Sequence, residues 1–125
     1  MFKKFLLLGL LLFSIGCGQG WTMDYGDPAA QFLSSVDAEK VQQYAGKKVS
    51  IKGFVASVDT TDPQNVWVDL DHGIRCNFGN FKEMAIQHAV GDEVIIDGVL
   101  RIGDDVGLIL DPALSRDMTA PFWPQ

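Results

Sequence analysis

The stretch Lys47–Asp59, KKVSIKGFVASVD, limits the possible folds more than any other part of the chain. It is apolar and rich in β-branched residues, and Gly53 stands near its middle. A strand of that length usually bends, and an internal glycine lets it bend without a Cβ clash. The stretch therefore predicts the first strand of a small closed barrel, paired with a neighbour on each side.

The rest of the 125-residue chain supplies the partners, within the length of one domain. Val66–Leu70 alternates, with Val66, Val68 and Leu70 on one face and Trp67 and Asp69 on the other. Asp71-His72-Gly73 predicts a three-residue hairpin connection with glycine in the left-handed position. Ile74–Phe78 returns, with Ile74, Cys76 and Phe78 inward and Arg75 and Asn77 outward. Glu93–Arg101, with Gly98 inside it, and Val106–Leu110 complete five strands, and Pro112 predicts a stop. Between the third and fourth, Phe81, Met84, Ala85 and His88 fall at helical spacing behind an Asn80…Glu83 capping box, and Gly91 ends the element. A second helix is predicted over Asp37–Tyr44 with Asp37 as cap. A third, short one is predicted from Pro28 to Leu33, because Asp27 can cap and proline suits a first turn.

Strand, strand, strand, helix, strand, strand is the order of the five-stranded OB-fold barrel. The fold class expected is thus all-β with one inserted helix, preceded by a short N-terminal helix. The segments Tyr44-Ala45-Gly46-Lys47-Lys48-Val49, Ile51-Lys52-Gly53, Val68-Asp69-Leu70, Cys76-Asn77-Phe78, Val90-Gly91-Asp92-Glu93-Val94 and Asp97-Gly98 resemble the tRNA-anticodon-binding-like OB-fold family over roughly residues 37–113. Many members of that family are small bacterial lipoproteins without assigned function. These motifs are strand and turn signatures, so the resemblance bears on fold and hardly on ligand.

The N-terminus predicts an address. Lys3 and Lys4 precede the apolar run Phe5–Phe13, which has the shape of a secretory signal and is short for a membrane span. Ser14-Ile15-Gly16-Cys17 resembles the bacterial lipobox, with Ser14 where leucine is usual. The resemblance implies cleavage before Cys17 and acylation of its thiol, and Gly18-Gln19-Gly20 suits a tether. Several acyl chains make a durable anchor where one would be marginal. The expected domains are a signal peptide at 1–16, a lipidated Cys17 and tether at 17–36, the OB-fold at 37–113 and an extended tail at 114–125. The expected location is the bacterial cell envelope, on a membrane facing the periplasm or exterior. Glycine after the cysteine, with no aspartate there, resembles an outer-membrane sorting signal.

Loss of Lys3 and Lys4 leaves eight basic residues against 16 acidic ones, a net charge of −8. Such a surface repels phosphate backbones. With Cys17 acylated, Cys76 has no intrachain partner, so no disulfide framework or zinc site is expected.

OB-folds bind ligands on the outer face of their second and third strands and on the flanking loops. Mapped here, that face carries Trp67, Asp69, Arg75 and Asn77, with Asp59 and Asp62 in one loop and Asp104 and Asp105 in the other. Trp67 could stack a base, but one arginine among carboxylates argues against an oligonucleotide groove. Lys47, Lys48 and Lys52 lie on the first strand instead. His72 and Cys76 lack the third residue a nucleophile pair needs, and a buried cysteine is ordinarily a small hydrophobe. His88 reads as a helix-end residue on an apolar stripe, and the acidic loops as solubility. The tail Pro121-Phe122-Trp123-Pro124 either folds back on the barrel or docks on a partner. No catalytic set, cofactor or metal site is expected. The reading is a lipid-anchored binding module for an envelope protein or small ligand, with single-stranded nucleic-acid binding as the alternative.

Overall fold

In the computed structural model, residues 28–105 and 107–125 are described. The predicted signal peptide, Cys17 and the tether as far as Asp27 lie outside the described residues, as does Val106.

The elements in order are β1 (Ala30–Leu33), α1 (Ala38–Gln42), β2 (Lys48–Asp59), β3 (Trp67–Leu70), a 3-10 turn (Asp71–Gly73), β4 (Arg75–Asn77), α2 (Lys82–Ile86), β5 (Glu93–Ile102) and β6 (Leu108–Arg116). Strands β2, β3, β4, β6 and β5 are neighbours in that order, and pairing of β2 with β5 closes the ring. The predicted five-stranded OB-fold barrel, with α2 inserted between its third and fourth strands, is therefore the fold of the chain.

Closure depends on β2. Lys48–Phe54 pairs antiparallel with β5, and Val55–Asp59 pairs antiparallel with β3, with a bulge between Val55 and Ser57. A bulge bends a strand and sharpens its twist, which lets one long strand serve both halves of a barrel. Gly53 has a further role. A Cβ there would lie 2.7 Å from both the Asp71 carboxylate and the Ser34 side chain, so only glycine lets those groups close over the strand.

Three local expectations are corrected. Ala30–Leu33 is a strand, not a helix: it pairs in parallel with Val49–Lys52, opposite the edge that β5 uses. A partner distant in sequence outweighs the proline signal, and Phe32 enters the core beside Val49 and Ile51. Asn80 does not cap α2: the cap position is Phe81, and no side chain supplies the bond. Pro112 does not stop the last strand, which runs on to Arg116 through a register shift opposite Gly98 and Leu100. Proline is tolerated at such an irregularity because no ladder bond is needed there.

The core is the barrel interior. Ile51, Val68, Leu70, Ile74, Cys76, Phe78, Ile96, Leu100 and Leu110 are buried, as the alternation predicts. Helix α1 is capped by Asp37, whose side chain accepts from the Glu39 backbone N–H at 3.1 Å. It buries Val41, and Tyr44 meets Phe32 edge-on at 5.5 Å between centroids.

The tail folds back. The backbone N–H of Gln125 donates to the Gln31 carbonyl at 2.8 Å, and that of Trp123 donates to the Gln31 side-chain oxygen at 2.8 Å. The tail thus covers part of the open edge of β1, a place where an unpaired strand invites other chains.

Candidate ligand-binding face

Strands β3 and β4 set Asp69 opposite Arg75 and Trp67 opposite Asn77. On the outer face this register builds a small fixed cluster. Arg75 Nε donates to Asp69 Oδ1 at 2.9 Å, and Ser57 Oγ donates to Asp69 Oδ2 at 3.0 Å. The guanidinium carbon of Arg75 lies 4.1 Å from the ring centroid of Trp67. A charge-assisted bond and a cation–π contact therefore hold one side chain from two directions. Arg75 remains 45% exposed, and its terminal amino groups have no partner among the described residues.

A hollow of about 270 Å³ adjoins Arg75, bounded by Gly73, Asp104, Asp105, Leu108 and Ile109. Asp105 is committed to its own loop, accepting from the Gly107 N–H at 3.0 Å. The other loop is likewise self-bonded. Asp59 accepts from the Thr61 N–H at 3.0 Å and the Thr61 hydroxyl at 2.7 Å. Asp62 accepts from the Gln64 N–H at 2.9 Å. These local bonds hold both carboxyls below the ordinary carboxylate value of 3.8.

Asn77 stands apart from its expected role. It is 6% exposed and acts as a fastener: its amide donates to Asn65 Oδ1 at 3.1 Å, and its oxygen accepts from the Gly79 N–H at 2.8 Å. Trp67, Asp69 and Arg75 are brought together on the outer surface, while Asn77 lies buried beside them.

Of the other candidates, Cys76 is fully buried, and burial pushes its thiol pKa far up. His72 is exposed in the turn with φ of 62° and lies 3.7 Å from the Asp71 carboxylate. Nothing brings the two together. Burial pushes the Asp71 carboxyl up, but bonds from Ser34 and the Phe54 N–H outweigh it and leave it below the ordinary value. His88 Nε2 meets Ser115 Oγ at 2.6 Å and stands edge-on to Phe78. Among the described residues no group of three or more His, Cys, Asp or Glu is placed to hold a metal ion.

Two polar features escaped the sequence reading. Ser57 supports Asp69, though the bulge hides its register. Ser50, Asp97 and Arg116 form a buried group: Ser50 donates to Asp97, and Arg116 Nε reaches both Asp97 oxygens at 3.0 and 3.1 Å. An aspartate inside the apolar run Val94–Leu100 was its one signal.

The fold recurs among solved structures. OBody AM3L15, bound to hen egg-white lysozyme, is 13% identical with a TM-score of 0.51, over 66% of this chain and 94% of that one. OBody AM1L10, bound to the same protein, is 13% identical with a TM-score of 0.49, over 66% and 93%. Asparaginyl-tRNA synthetase of Entamoeba histolytica, in complex with asparaginyl-adenylate, is 12% identical with a TM-score of 0.48, over 69% and 23%. At such identities the likeness is one of fold. No protein-family model and no curated relative matches the sequence.

Proposed function

We propose that the chain is a bacterial envelope lipoprotein, similar to the tRNA-anticodon-binding-like OB-fold family, that presents its barrel as a binding module. The lipobox-like Ser14–Cys17 run and the signal-like residues before it support the anchor. The observation that carries the binding role is Arg75, pinned against Trp67 and Asp69 with its terminal amino groups left for a ligand. A guanidinium fixed in this way offers two parallel donors to paired oxygen acceptors and loses little entropy on binding. The partner is an envelope protein or a small ligand that brings such oxygens to the outer face of β3 and β4.

Single-stranded nucleic acid fits this face poorly. Arg75 already occupies Trp67, Asp104 and Asp105 line the hollow beside it, and Asp59 lies close enough to feel its charge. The test has two arms. Labelled palmitate is expected to enter the native chain and not the Cys17→Ala variant. Tryptophan emission is expected to show no salt-dependent quenching by single-stranded DNA, and such quenching would replace this reading with the nucleic-acid one.

A further inference from the structure

We propose that the side of the barrel carrying the C-terminal tail rests on the bilayer, with Trp123 seated in the headgroup layer. The proposal builds on the lipid anchor at Cys17. Trp123 is 77% exposed, yet its backbone is held: its N–H donates to the Gln31 side chain, and the N–H of Gln125, two residues on, donates to the Gln31 carbonyl. The indole therefore stands out from a fixed backbone. Trp123 shares its hollow with Pro28, Gln31, Arg116, Pro121 and Gln125, and its chain neighbour Phe122 leads to a strip of exposed apolar residues around Lys52. Leu33, 46% exposed, lies opposite Lys52 in the β1–β2 ladder, and Lys52 Nζ lies 5.5 Å from the ring centroid of Phe122. Phe54, two residues on from Lys52 on the same outward face, is 49% exposed.

Where the tether enters decides the occupant. Pro28, the first described residue, borders the same hollow of about 330 Å³ as Trp123 and Gln125. Residues 18–27 separate it from Cys17, and ten residues span at most about 35 Å. A lipid on Cys17 thus keeps this side of the barrel within reach of the membrane surface.

The chemistry suits that surface. Indole has an apolar body and a polar N–H, and tryptophan favours membrane–water interfaces for that reason. Lysine lays its stem on apolar neighbours while its ammonium reaches for lipid phosphate. Tethering raises the effective concentration to about the millimolar range, so a contact too weak to bind a free chain is enough.

The test uses the lipidated full-length chain in phosphatidylethanolamine vesicles that carry brominated acyl chains. Trp21→Phe with Trp67→Phe leaves Trp123 as the sole fluorophore. Its emission is expected to fall about two-fold relative to unbrominated vesicles, with a blue shift. Trp21→Phe with Trp123→Phe leaves Trp67, whose emission is expected to stay unchanged. The Trp21→Phe variant alone, with Trp67 and Trp123 both native, is expected to be quenched to a degree between those of the two double variants, which guards against misfolding of either. A chain that floats with the vesicles while Trp123 stays unquenched overturns the proposal alone, and so does equal quenching of Trp67 and Trp123. A chain that fails to float overturns the anchor reading and the proposal together.

Discussion

Arg75 places its guanidinium carbon 4.1 Å from the ring centroid of Trp67, and its Nε bond to Asp69 keeps it there. A partly exposed cation–π pair contributes about 0.5–1 kcal/mol. A double-mutant cycle with Arg75→Ala and Trp67→Ala should return a coupling of that size by urea denaturation. The Arg75→Ala change should also alter tryptophan emission without unfolding the chain. A coupling near zero would mean that the stack does not persist in solution.

Asp97 and Arg116 pair where water barely reaches, their side chains 3% and 7% exposed. Removing one member of a buried ion pair strands the other charge and costs about 3–5 kcal/mol. Arg116→Ala is expected to lose that much in denaturation. Arg116→Lys, which keeps the charge but not the planar donor, is expected to lose less.

Gly98 sits where two strands cross closely. A Cβ there would lie 2.7 Å from Leu110 Cβ and 2.8 Å from the Pro112 carbonyl oxygen. Backbone cannot yield as a flexible side chain does, so Gly98→Ala should cost about 1–3 kcal/mol through overpacking. A thermal melt close to that of the native chain would show that the β5–β6 crossing is looser.

Burial holds the His88 pKa below its ordinary 6.5, against the pull of the Asp92 carboxylate. The unfolded chain then binds this proton more readily than the native one. The His88 contribution is full above about pH 6.5 and is lost as pH falls through the lower folded value. Denaturation free energy should decline over that window, and His88→Gln should remove the decline. A second, acid-side loss remains below the ordinary carboxylate value of 3.8, where Asp59, Asp62 and Asp117 give up their bonded, ionised forms.

Much of this was legible because strands write their alternation into the sequence. Val66–Leu70 and Ile74–Phe78 declared their inner faces, and the three-residue connection fixed which residues oppose each other, so Trp67, Asp69 and Arg75 could be placed on one surface. What alternation cannot encode is what later closes over a strand. Asn77 reads as outward, but Asn65 and the following turn cover it. Four residues at Ala30–Leu33 are too few to show a period, and their partner lies in a strand read separately. Pro112 carried a stop signal that a shifted register made harmless.

The most direct test places a photo-crosslinking amino acid at Asp104, on the rim of the hollow beside Arg75, in the membrane-anchored chain. The account predicts an adduct of discrete mass on irradiation in intact envelopes, and its loss when Arg75→Ala is added. An adduct that persists unchanged without Arg75 would contradict it.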